Sequence, residues 1–139
     1  MDLNAIRSSK DQRQGVIYLQ SLLVMMVMIL LTIALLQWTF VMTSHQAVNA
    51  ATGEGARVAA RANFAGSTQQ TVTEAAVREV LAANGMEAAD ATVLIVDGGS
   101  SVSVEVHMPF GSAKVPDWLS AFGLSMSGYE FQTSAIGWK

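Results

Sequence analysis

The chain has 139 residues, no cysteine and a formal net charge of −3; 51% of it is hydrophobic and 14% is charged. That length suits one small domain with an appendage. The mild acidity excludes a basic nucleic-acid-binding surface, and the missing thiols exclude disulfides, so a domain outside the cytoplasm must hold by packing alone.

Residues 1–15 read as a basic leader, with Arg7, Lys10 and Arg13 running up to Gly15. From Val16 to Leu36 there is no charge, and the only polar interruptions are Gln20, Ser21 and Thr32. As a helix these residues are about 30 Å long, the thickness of a bilayer core. The run continues as "WTFVM", which places Trp38 and Phe40 where an aromatic belt sits. The expected transmembrane helix is therefore 16–42. A buried core helix is the first rival, but a small domain has little room for a helix that is apolar all round. A cleaved secretory signal is the second, with a small-x-small site at Val48-Asn49-Ala50. Its apolar core is usually about 7–15 residues, shorter than this one. The first basic residue after the span is Arg57. Positive-inside logic then puts the N-terminus in the cytoplasm and the rest outside, in a single pass.

Residues 43–66 read as a helical extension. Ala47, Ala51, Gly55 and Ala59 recur every fourth position and share one face. Small side chains there let another backbone approach closely. Next, "AGSTQQ" (65–70) reads as a loop. "TVTEAAVREVLAANG" (71–85) reads as a helix opened by a Thr71–Glu74 capping box and closed by Asn84-Gly85. Its expected apolar stripe is Val72, Ala75, Ala76, Val80 and Leu81. The period then changes to two. "ATVLIV" and "SVSVEVHM" flank the turn "DGGS", a β-hairpin at about 92–108. Val102, Val104, Val106 and Met108 alternate with Ser103, Glu105 and His107, as in a strand with one wet face. "PFGSAKVPDWLSAFG" reads as a loop. "LSMSGYEFQTSAIGWK" reads as one or two more strands, with Gly128 as a bulge. The expected fold class is α+β. A long N-terminal transmembrane helix extends into a small head (67–139), with one further helix packed on a sheet of three or four antiparallel strands.

Little in the chain suggests catalysis. His45 and His107 lack a third ligand at a recognisable spacing, so no metal is expected. No nucleophile elbow or phosphate loop is present, and no cofactor is implied. Glu105 and Glu130 as neighbours across strands would make a carboxylate pair, but solvated strand-face acids are the far commoner arrangement. Trp38, Trp118 and Trp138 are read as belt, core and terminal packing. The expectation is a protein that works by packing and is not an enzyme.

Three stretches together resemble a known architecture: "GVIYLQSLLVMMV", "AVNAATGEGARVAARA" directly after the span, and "VSVEVHMPF" followed by a loop and a final strand. They are similar to type IV pilins and pseudopilins, and more narrowly to the TadE-like proteins of tight-adherence (Tad) pilus systems. The resemblance implies insertion in the bacterial inner membrane and cutting by a prepilin peptidase between Gly15 and Val16. It also implies partners: other pilin-like subunits, the inner-membrane assembly platform and membrane lipid. The role would be that of a minor pilin in assembling or priming a Tad-type pilus. Two positions depart from the pattern. The usual glutamate five residues after the glycine is Gln20, and the usual proline is missing from the Val24-Met25-Met26 region. Gln20 would then be a helix contact between subunits through a hydrogen bond, worth about 0.5–2 kcal/mol; otherwise it simply sits at the headgroup boundary. The alternative is an uncleaved single-pass anchor that presents a small binding domain.

Overall fold

A computed structural model describes the backbone of residues 3–61 and 67–139 and the side chains of residues 15–61 and 68–139. It contains helices α1 (Leu3–Arg61) and α2 (Ser67–Ala83) and strands β1 (Thr92–Asp97), β2 (Ser101–Pro109) and β3 (Glu130–Trp138). Short 3-10 turns lie at Ala88–Asp90, Phe110–Ala113 and Trp118–Phe122. The end of the expected extension, residues 62–66, and the first two residues of the leader lie outside the described residues. The chain divides into two units, one ending at Leu36 and one spanning Gln37–Lys139.

The described residues of the first unit are all helix. α1 is long and apolar enough to cross a membrane, and none of its apolar 18-residue window is buried. Thr32 spends its hydroxyl inside the helix, donating to the Met28 carbonyl at 2.8 Å.

The second unit is an α+β fold with a three-stranded antiparallel sheet in the order β1-β2-β3. The alternation in β2 settles which face is inside: Val102, Val104, Val106 and Met108 are fully buried, while the residues between them are half-exposed. The rest of α1 lies against this apolar face. Thr52 donates to the Val48 carbonyl at 2.8 Å and meets the Thr133 hydroxyl of β3, so a polar pair is satisfied inside the core. Two glycines measure how close the elements come. A β-carbon on Gly137 of β3 would collide with the Ala56 carbonyl of α1. One on Gly55 of α1 would stand 2.6 Å from Val77 of α2 and 3.5 Å from Val104 of β2.

α2 begins earlier than the capping-box reading allows. Ser67–Gln70, expected as loop, are its first turn, and the Thr71 hydroxyl donates to the Thr68 carbonyl at 3.0 Å. Glu74 accepts from Gln70 at 2.9 Å and does not cap a backbone amide there. The buried stripe is Gln69, Thr73, Val77 and Leu81, with Val80 half-buried; Val72 and Ala75 face out. Gln69 explains why a polar residue starts an inward face. Its side-chain amide donates to the Ala59 carbonyl at 3.0 Å, satisfying one of the last-turn acceptors of α1. At the other end Gly85 adopts φ +77°, Met86 donates to the Leu81 carbonyl and Gly85 to that of Ala82. That is a Schellman closure, with Met86 and Leu81 both buried beneath it.

The hydroxyl oxygen of Thr73 is buried and without a hydrogen-bond partner. A buried unsatisfied hydroxyl is unfavourable, and an isosteric apolar group removes the penalty. Thr73→Val should therefore leave the unit as stable or raise its stability by up to about 1 kcal/mol. Thermal unfolding of the full chain in detergent measures this, and a clear drop in melting temperature would contradict it.

The hairpin turn is held by Asp97, which accepts from the Gly99 amide at 2.9 Å and from the Lys139 ammonium at 2.6 Å. The loop after β2 is more ordered than a bare loop reading implies. Phe110, Ser112, Ala113 and Val115 are buried, and Phe110 stacks on Phe131 at 5.9 Å. The C-terminal stretch forms a single strand, β3. Gly128 lies in the turn before it and is not a bulge.

Candidate functional site

The residues singled out in the sequence fall in three places. Gly15, Val16 and Gln20 are exposed in the first unit. A β-carbon on Gly15 would meet nothing, and the helix runs through it unbroken. The Gln20 side chain makes no hydrogen bond with another described residue.

Ala47, Ala51, Gly55 and Ala59 are all buried, in the second unit. The neighbours that Gly55 approaches belong to its own fold, α2 and β2. This small-residue face lets α1 sit low against this chain's own strands and helix.

Glu105 and Glu130 are not directly opposed across the strands. The strand register sets Glu105 opposite Ser134, and Glu130 opposite Pro109. His107 lies between the two acids, 3.2 Å from Glu105 and 3.9 Å from Glu130, and Gln132 donates to Glu105. Among the described residues no group of three or more His, Cys, Asp or Glu is placed to hold a metal ion.

The site that sequence reasoning missed centres on Gln37. This residue opens the second unit and is only 1% exposed. Its amide nitrogen donates to Asp117 at 3.3 Å, and its amide oxygen accepts from the Leu119 amide at 3.1 Å. Asp117 also accepts from the Ser125 hydroxyl at 2.8 Å and from the Met126 amide at 3.0 Å. The loop carrying Trp118 is thus tied to α1. Phe40 meets Trp118 edge to face, at 5.7 Å and 82°. Trp118, read as core, is 42% exposed, and Trp138, read as terminal packing, is 76% exposed. The only sequence signal for this site was a glutamine directly after an apolar run, and its partner lies 80 residues away.

The Ser125 hydroxyl, helped by the Met126 amide and Gln37, holds the Asp117 carboxyl below the usual carboxylate range against the opposing effect of desolvation. A carboxyl lowered in the folded state stabilises the fold above its unfolded pKa, about 3.9, and loses that effect as pH falls through its folded value. Asp117→Asn should therefore lower the melting temperature at pH 7, and the gap to the unsubstituted protein should narrow as pH falls below about 4. Melting curves at pH 7 and pH 3 test this; a gap of constant size would remove the carboxylate from the account.

A last feature lies on the outer sheet face. Register places Val96, Ser103 and Ile136 in one row, with Leu94 and Trp138 alongside. All four apolar members of this group are exposed. Comparison of the chain with protein-family models, with curated proteins and with solved structures found no match.

Proposed function

We propose that this protein is a TadE-like minor pilin or pseudopilin. It is inserted in the bacterial inner membrane with its N-terminus in the cytoplasm and its α+β head outside. A prepilin peptidase cuts it after Gly15, and it takes part in assembling or priming a Tad-type pilus. The observation that carries the reading is α1 itself. An apolar window with none of its residues buried belongs to a helix that continues into the core of a small head. That is far more helix than an anchor alone requires. Function here is packing: residues 16–36 against lipid and other subunit helices, with Gln20 as the polar contact, and the head against assembly partners. The exposed apolar row on the outer sheet face supports head contacts, since large apolar groups gathered on a surface mark interaction sites.

One observation favours the second reading, an uncleaved anchor presenting a binding domain: the helix is unbroken through Gly15. A peptidase needs extended backbone, and a helical site must unwind first. Glycine makes that easier by about 1 kcal/mol relative to alanine.

The test is the intact mass and N-terminal sequence of the protein isolated from its native membrane. A chain beginning at Val16 is the expected result. A chain beginning at Met1, in cells with an active prepilin peptidase, would establish the anchor in its place. A start near Ala51 would remove the membrane reading and leave a secreted domain.

A further inference from the structure

The turn held by Gln37 exposes more apolar surface than a loop in water should. Trp118 is 42% exposed, Phe122 52% and Leu124 64%. From Trp118 to Tyr129 there is no charged side chain. Several backbone amides of the same turn are paired: Leu119 donates to Gln37, Gly123 to Ser120, Leu124 to Leu119 and Met126 to Asp117. An apolar exterior with paired amides beneath it lowers the cost of entering a low-dielectric medium, where an unpaired amide is expensive.

Its place in the chain says which medium. Gln37 follows Leu36, where the apolar run gives way to a polar side chain; the first charged residue beyond it is Glu54. Phe40, which Trp118 touches, lies four residues beyond Leu36, about 6 Å of helix rise. The headgroup layer on each side of a bilayer is about 5–8 Å deep. Tryptophan and phenylalanine are favoured at this boundary.

We propose that the Asp117–Leu124 turn is a membrane-interface foot. Trp118, Phe122 and Leu124 enter the headgroup boundary of the leaflet from which α1 emerges, and the Gln37–Asp117 knot ties this turn to the start of the second unit. The proposal rests on α1 spanning a membrane and is independent of any role in a pilus.

The test uses the full chain in phosphatidylcholine vesicles at high lipid excess, so that copies are apart. Three double Trp→Phe variants leave Trp38, Trp118 or Trp138 as the single fluorophore. With acyl chains brominated near the headgroup, emission from Trp38 and from Trp118 should fall about twofold, as for residues at the interface, and that from Trp138 should not change. Trp118 quenched by aqueous acrylamide and untouched by the brominated lipid would overturn the foot. Trp118 shielded from both quenchers would also overturn it, in favour of a protein cover. If Trp38 too escapes the brominated lipid, the spanning reading itself has failed, which separates the two failures. The protein has no cysteine, so Leu124→Cys carries a unique spin label as a second measurement. The foot requires the label to collide more often with dissolved oxygen than with a water-soluble nickel chelate; the reverse order would overturn it.

Discussion

Replacing Gly137 by alanine is expected to detach β3 from α1 and largely unfold the globular unit. The added methyl would overlap the Ala56 carbonyl and stand 2.8 Å from the Ala60 β-carbon and 3.1 Å from the Ala56 carbonyl carbon. These obstacles are almost all helix backbone, so no rotamer change relieves them. The strand is equally constrained, because Gly137 pairs with Val102 of β2 and its neighbours continue the ladder. Overpacking of a tight core usually costs about 1–3 kcal/mol, and more where backbone must move. A domain of this size is stable by only about 5–15 kcal/mol. Near-UV circular dichroism of the full chain in detergent should lose its sharp thermal transition, or show it at a much lower temperature. The helical far-UV signal of the first unit should persist. A melting curve that superimposes on that of the unsubstituted protein would mean that helix and strand are further apart than described.

Gly55 is the second test of close approach, and it differs because the obstacle is a side chain. Alanine there would put its β-carbon 2.6 Å from Val77 Cγ2. Val77 is fully buried and β-branched, and valine in a helix has one strongly preferred rotamer, so it cannot swing aside. Alanine also improves helix propensity by about 1 kcal/mol, which partly offsets the clash. The net expectation for Gly55→Ala is a loss of about 1–2 kcal/mol. Gly55→Leu, which must displace both Val77 and Val104, should prevent the unit from folding. Shortening the obstacle should help: in the Gly55→Ala, Val77→Ala pair the two changes should be less damaging together than their sum. The coupling should be about 1 kcal/mol or more, as between residues in contact. Urea unfolding of the four proteins measures it, and simple additivity would contradict the contact.

Elements written in a periodic pattern were legible. The four small residues at every fourth position of α1 are on its buried side, and the period-two run of β2 points its valines inward. The hairpin was legible from a glycine pair between two β-branched runs, and the end of α2 from Asn84-Gly85. Elements whose inward residues are polar were not. Gln69 and Thr73 occupy the buried face of α2, one bonded to another helix and the other unpaired, so hydropathy found Leu81 and Val80 but missed the polar half of that face, and the capping-box pattern set the start too late. Gln37 and Asp117 were missed for a related reason. Each is an ordinary polar residue until the fold brings them together, and nothing local marks the pairing. Trp118, read as core, lies in a loop tied to α1 by Gln37, a contact that nothing local in the sequence marks. The close approach at Gly137 is equally invisible in sequence, where a glycine near a strand end looks like any other.

The bond between Thr52 and Thr133 joins residues 81 positions apart. At about 5–20 residues per second, a ribosome takes roughly 4–16 s to add that much chain. Until β3 arrives Thr52 lacks its hydroxyl partner and the Ala56 side of α1 lacks the strand that closes on it, although an isolated helix relaxes in about a microsecond. The second unit is therefore a late-closing fold: its first element waits for β3. Mutations that weaken β3 should act on the yield of finished protein before they act on anything the finished protein does.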